Sequence, residues 1–95
     1  MLTYQVKIKV DASIEKAWLH WMKTTHVPDM IATGLIRSFQ VLKSQQACTY
    51  LFHYHFESKR DFDDYYKNYA PTLKKHPAQK FPNQFEAERE LLEWI

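Results

Sequence analysis

The sequence predicts an α+β fold, the ferredoxin-like βαββαβ plait, as a single domain over residues 1–95. Three observations predict it. Three segments alternate polar and apolar residues while a fourth, Leu35 to Lys43, is rich in Phe39, Val41 and Leu42; two others carry aromatic residues at helical spacing; and only a short polar link joins the second and third strand segments. Right-handed crossovers then place strands 1 and 3 at the centre of the sheet with 4 and 2 outside, every neighbour antiparallel and both helices on one face.

Thr3 to Val10 sets Tyr4, Val6, Ile8 and Val10 against Thr3, Gln5, Lys7 and Lys9, the period-two pattern of a half-buried strand. Asp11 and Ser13 offer N-cap oxygens to a helix whose stripe of Ile14, Trp18, Trp21, Met22 and Thr25 faces the sheet, while Lys16, His20 and Lys23 point away. Pro28 lacks an N–H and biases Val27 towards extended geometry, so this helix is expected to end near Thr25 with His26 and Asp29 at its mouth. Gly34, the only glycine, stops the following turn, and Leu35 to Lys43 reads as the second strand.

After the polar connection Ser44 to Ala47, Thr49 to Glu57 is the strongest strand, with Tyr50, Phe52, Tyr54 and Phe56 on one face and Leu51, His53, His55 and Glu57 on the other. Ser58, with Asp61 three residues on, resembles a capping box and opens a helix that repeats Phe62, Tyr65, Tyr66, Tyr69 and Leu73 on one side. Pro71 is expected to kink or restart this helix near Ala70 and Pro77 to end it. Thr72 to His76 would be its last turn, followed by an irregular segment to Pro82 pinned by Phe81. Gln84 to Trp94 supplies the fourth strand, Phe85, Ala87, Arg89 and Leu91 alternating with Glu86, Glu88, Glu90 and Leu92. On the open face Lys7 and Lys9 then lie beside those glutamates, where cross-strand ion pairs are each worth about 0.2–1 kcal/mol.

Composition narrows the function classes. A domain this small buries only about 60–65% of its unfolded surface, so a private pocket competes with the core and a site shared between subunits eases the conflict. Thirteen basic and eleven acidic residues are scattered along the chain for a net charge of +2, too mild and mixed for a nucleic-acid footprint. RNA-recognition modules of this topology stack bases on aromatics of the open face, whereas the aromatics of strand 3 take the helix-facing phase. Cys48 stands alone, which excludes an intrachain disulfide and a CxxC motif and fits a reducing compartment. The start lacks a signal-peptide pattern and no apolar span is long enough for a bilayer, so a cytoplasmic protein without membrane or nucleic-acid partners is expected.

Trp18, Trp21, Met22, the run His26-Val27-Pro28-Asp29-Met30 and Ala32-Thr33-Gly34 resemble a family of small, functionally uncharacterised bacterial proteins of the dimeric α/β-barrel superfamily. Tyr69-Ala70-Pro71-Thr72-Leu73, His76 and Phe81 resemble that family's second helix, so the similarity covers essentially the whole chain. The resemblance implies a homodimer whose open sheet faces meet. The wider superfamily includes cofactor-free monooxygenases, haem-degrading enzymes, chlorite dismutase-like proteins and muconolactone isomerase-like enzymes, and no motif in this sequence chooses among them.

The residues themselves offer two candidate sites. The first is a pocket between helices and sheet walled by Trp21, Tyr54, Tyr66 and Tyr69, with His26, Asp29, His76 and Arg89 at its polar end. Arg89 is anomalous, since it takes an inward phase between Ala87 and Leu91. Either a carboxylate or a ligand anion balances it, or it lies at the sheet edge and caps helix carbonyls. His26 is a general base oriented by Asp29 or a protonated histidine capping the helix end, and the aromatic stripes are pocket walls or simply core. The second candidate is His53, His55 and Glu57, which share a strand face at a spacing of about 6.5–7 Å. Lys7 and Lys9 would repel a cation there, so no metal is assigned and the alternative is a pH-sensitive dimer interface.

Two readings follow. The leading one is a cytosolic homodimer that binds a small apolar or aromatic anionic ligand, with cofactor-independent oxygenation or isomerisation as its chemistry. In it His26 is the base, Asp29 its orienter, Tyr69 and His76 hold the substrate and Arg89 pairs its charge. No cofactor is assigned, although His26 or His76 could ligate haem. The rival is a non-catalytic interaction module that self-associates through the open face, with Trp94 and Ile95 completing the partner's surface.

Overall fold

The alternation of the first ten residues becomes a central strand. In the computed structural model, which describes residues Met1–Ile95, β1 (Leu2–Val10) pairs with β3 (Thr49–Phe56) on one side and β4 (Phe85–Glu93) on the other, and β2 (Ile36–Lys43) closes the sheet beside β3. The order is β2-β3-β1-β4, antiparallel throughout, as the sequence predicts. Register sets Tyr4 opposite Tyr54, Val6 opposite Phe52 and Ile8 opposite Tyr50. These residues are buried beneath the helices. Trp18 is 0% exposed, and its indole lies 5.4 Å from the Tyr50 ring and 5.9 Å from Phe52.

The first helical segment departs from expectation at Pro28. A short 3-10 turn (Ala12–Ile14) leads into α1 (Glu15–Trp21), a π-helical turn (Met22–His26) and α2 (Val27–Ile31), so the helix runs on past Thr25 and through the proline. Val27 is helical, with φ −60° and ψ −45°, and its N–H reaches the Met22 carbonyl five residues back. A proline inside an α-helix clashes with the carbonyl four residues earlier and lacks a donor for it, and one extra residue in the turn accommodates both defects. Thr24 Oγ1 donates to the His20 carbonyl at 2.7 Å. The insertion also rotates the buried face. Thr25 turns out to solvent, while His26, Val27 and Met30 turn in.

The second helical segment follows expectation at one proline and corrects it at the other. Ser58 Oγ accepts from the Asp61 N–H at 3.2 Å and caps α3 (Lys59–Asn68), which breaks at Tyr69 before α4 (Ala70–Lys80) restarts over Pro71. Pro77, however, stands inside α4, and the stretch expected to be irregular is helical to Lys80. Pro77 is buried against the domain, so packing offsets the single backbone bond that it forfeits. The chain leaves the helix at Phe81, which is buried and non-helical at φ −130°.

On the open face Lys7 stands opposite Glu88 and Lys9 opposite Glu86. The rows adjoin as expected, yet the chain's two ion pairs form elsewhere, Arg37 with Glu57 at 3.1 Å and Lys59 with Asp63. No helix is long and apolar enough to cross a membrane.

Candidate ligand cavity between helices and sheet

β1, β3 and β4 present their inward side chains to the helices, and between the layers a cavity of about 40 Å³ remains. Its sheet wall is Tyr4, Val6, Ile8, Phe52, Tyr54, Phe85 and Arg89. Its helix wall comes from Met22, His26 and Met30, from Tyr65 on α3, and from Leu73, Lys74 and Pro77 on α4. The π-turn matters here, because it is what brings His26 inward.

Three of the residues singled out in the sequence, His26, Tyr54 and Arg89, line this cavity together. Trp21 stands behind His26, the two rings stacked at 6.0 Å, and Phe81 meets Trp21 edge-on at 5.8 Å. Tyr66 is outside and exposed, its ring stacked on Phe62 at 5.7 Å with the Lys74 ammonium 4.8 Å above it. Asp29 and Tyr69 line a separate depression with Thr33, Asn68 and Thr72. His76 is exposed on α4. Sequence reasoning left out Tyr4, Tyr65 and Lys74. The inward phases of Tyr4 and Tyr65 were readable, but the approach of Lys74 to β4 needed the fold.

Two buried polar atoms at this cavity, Tyr4 Oη and His26 Nδ1, have no partner at hydrogen-bond distance, although the Arg89 guanidinium stands beside Tyr4 Oη, whose own hydrogen is left undonated. Burial pushes the His26 imidazolium down to about 4, against the pull of Asp29 and with help from His76 and Arg89. His26 is therefore a neutral imidazole at pH 7 and not the protonated cap that a helix end would favour. Burial raises Tyr4, and the Arg89 guanidinium draws it back; Tyr54 and Tyr65 are raised as well, again chiefly by burial. All three phenols are donors at neutral pH. Tyr65 Oη donates to Met30 Sδ at 3.2 Å. No carboxylate lines the cavity, whereas Lys74 and the exposed Arg89 bring positive charge to it.

A depressed histidine makes stability pH-dependent in a definite direction. The unfolded chain binds a proton at His26 below about pH 6.5, and the folded chain refuses it until about pH 4. Stability is accordingly full above that window and falls as pH drops through it, by up to about 3 kcal/mol. Urea unfolding of the protein and of His26→Gln across this range should show a difference that shrinks with acidity. A constant difference would contradict the neutral assignment.

The histidines of the open face are otherwise engaged. His53 Nε2 lies 2.9 Å from Gln5 Oε1, and Glu57 is paired with Arg37. Trp94 Nε1 donates to Thr3 Oγ1 at 2.7 Å, Thr3 Oγ1 meets His55 Nδ1 at 2.8 Å, and His55 Nε2 meets Gln40 Oε1 at 2.6 Å. An indole only donates, so the Thr3 hydroxyl hydrogen is free for His55 Nδ1, and His55 then donates from Nε2. The chain of bonds runs from Trp94, just beyond β4, through β1 and β3 to β2. Thr3→Val should cost about 1–3 kcal/mol, chiefly by stranding the buried His55, readable as a lowered unfolding midpoint with altered Trp94 fluorescence.

Four antiparallel strands in the order β2-β3-β1-β4 with the helices on one face define the ferredoxin-like α+β fold. The chain belongs to the DUF4286 family, a domain of unknown function, whose model matches residues 1–95. No curated protein matches it at the level of sequence. Among solved structures it is similar to an antibiotic biosynthesis monooxygenase, at TM-score 0.76 and 9% identity over 100% of this chain and 99% of that one. It is also similar to SnoaB, a cofactor-independent oxygenase from Streptomyces nogalater, at TM-score 0.71 and 9% identity over 99% and 92% of the two chains. A third is a mutant of MhuD with two manganese protoporphyrin IX bound per active site, at TM-score 0.67 and 16% identity over 100% and 95%. At such low identities the superpositions show a shared fold alone. A porphyrin does not fit the cavity of about 40 Å³.

Proposed function

We propose that this protein is a cytosolic homodimer that binds a small, apolar or aromatic anionic molecule in the cavity between helices and sheet. The observation that carries this reading is the pair of buried, unpartnered polar atoms, Tyr4 Oη and His26 Nδ1, in an otherwise apolar wall with Arg89 and Lys74 beside it. A buried polar group left unpaired costs about 1–3 kcal/mol, which a ligand recovers. Pockets that swallow drug-sized ligands measure about 300–1,000 Å³, so this cavity encloses only one end of its ligand.

The chemistry such a site offers is cofactor-independent proton transfer, the first step of an isomerisation or of oxygenation of an activated carbon acid. His26 is its base because a neutral imidazole has a free lone pair. Asp29 acts on it through charge, Arg89 pairs the negative charge formed, and Tyr69 and His76 act from outside the enclosed cavity. The oxygenase SnoaB, which has the same fold, supports this reading over the interaction module.

Dimerisation is proposed through the open face, where the Lys7 and Lys9 row beside Glu86 and Glu88 lets a two-fold-related copy set unlike charges together. Leu42, Trp94 and Ile95 are exposed there. Glu88→Lys should shift the dimer towards monomer in size-exclusion chromatography. An unchanged elution volume would remove that face from the interface.

The test of the binding reading is native mass spectrometry of the purified protein, followed by a thermal-shift screen of aromatic acids, quinones and haem. A retained small molecule, or stabilisation by one class of compound that His26→Gln abolishes, is expected. Indifference to every class would favour the interaction module.

A further inference from the structure

The two unpartnered atoms narrow the ligand's head group. Tyr4 Oη and His26 Nδ1 belong to different layers, one on β1 and one in the π-turn, and line the same cavity of about 40 Å³. A water molecule needs roughly 10–15 Å³ of such space, so about three water-sized groups fit and an aromatic ring does not. A head with two oxygens on one small centre answers both polar atoms at once within that volume. A phenolate presents one oxygen and would have to bring its ring inside.

We propose that the cavity is a carboxylate-head site that takes up a proton with its ligand: a compact monocarboxylic acid binds as the anion, one oxygen accepting from Tyr4 Oη and the other from a proton gained at His26 Nδ1. Arg89, whose guanidinium lies beside the Tyr4 hydroxyl, faces the head group from the rim, and the apolar body leaves along Leu73, Pro77 and Phe85. This rests on the ligand-binding part of the reading above and not on its proton-transfer chemistry, because an imidazolium has no lone pair left to act as a base; it adds the ligand's class and its proton linkage.

The charges around His26 agree with this step. Asp29 on α2 favours the imidazolium, whereas His76 on α4 and Arg89 on β4 oppose it. Lys74 lines the cavity with its ammonium over the exposed Tyr66 ring, and Tyr4, Tyr54 and Tyr65 contribute no charge at neutral pH. With no carboxylate lining the cavity, the neutral imidazole is the stable empty state. A bound anion beside Nδ1 reverses that balance. The proton comes from solvent and bonds to Nδ1, no covalent bond of the ligand breaks, and the site's net charge is unchanged.

Isothermal titration with benzoate near pH 7, in two buffers of different ionisation enthalpy, reads both binding and protons. Benzoate is expected to bind with uptake close to one proton, and neutral benzamide at least about tenfold more weakly, a comparison that needs no variant. Tyr4→Phe should weaken benzoate about tenfold at an unchanged unfolding midpoint, and His26→Gln should abolish the uptake. Binding without proton uptake, uptake that survives in His26→Gln, or benzamide binding as well as benzoate would each overturn the inference. If benzoate fails while a quinone or phenol from the thermal-shift screen binds, this inference falls and the ligand-binding reading stands. If nothing binds, both fall.

Discussion

Trp18→Ala should cost about 3–5 kcal/mol and lower the unfolding midpoint by roughly 15–30 °C. Trp18 is wholly buried at the centre of the helix–sheet interface, against Tyr50 and Phe52 on β3. Its removal leaves a void between two rigid layers that cannot both collapse into it. Domains of this kind have only about 5–15 kcal/mol to lose. Trp18→Phe separates packing from polarity, because Trp18 Nε1 is itself buried without a partner. Phenylalanine gives up part of the volume but also deletes an unsatisfied donor, so its cost should be far below that of alanine. Equal losses for the two variants would show that volume alone is not what the site needs.

The second large effect belongs to the rim of the cavity. Arg89→Glu should weaken an aromatic acid by about 100-fold, because a charge-assisted contact worth roughly 1.5–3 kcal/mol is replaced by repulsion. Arg89 is exposed at the edge strand opposite Val6, so the fold should survive the change, and circular dichroism and the unfolding midpoint provide that control. Titration of benzoate into the variant and the parent checks the prediction. Affinity that is indifferent to the reversal would mean that the anion sits elsewhere.

The sheet was legible in the sequence because its signals are local. Alternation in Thr3–Val10 and Thr49–Glu57 assigned Tyr4, Val6, Tyr50, Phe52 and Tyr54 to the helix side, where register places them. The prolines were legible only in part. Pro71 follows the break at Tyr69, as its missing donor requires, but Pro28 and Pro77 both lie within helical runs. Their cost is local, and what offsets it, the burial of His26, Val27, Met30 and Pro77, is tertiary.

The same division holds for the candidate site. The inward phase of Arg89 on β4 announced it, and Tyr54 followed from its strand. His26 was noticed for the wrong geometric reason, since the π-turn and not a helix end turns it inward. Asp29, three residues on, lies in a different depression with Tyr69. Lys74 lies in the turn that the sequence already assigned to a helix, and it is the packing of α4 on the sheet that brings it to the cavity.

The most direct measurement is a titration of the isotope-labelled protein with the aromatic acid that stabilises it most, followed through backbone amide shifts. The account predicts that the largest changes map to Tyr4, His26, Tyr54, Leu73, Lys74 and Arg89, with Gln5, His53 and Leu92 on the open face still. Changes confined to the open face, or none at saturating ligand, would contradict it.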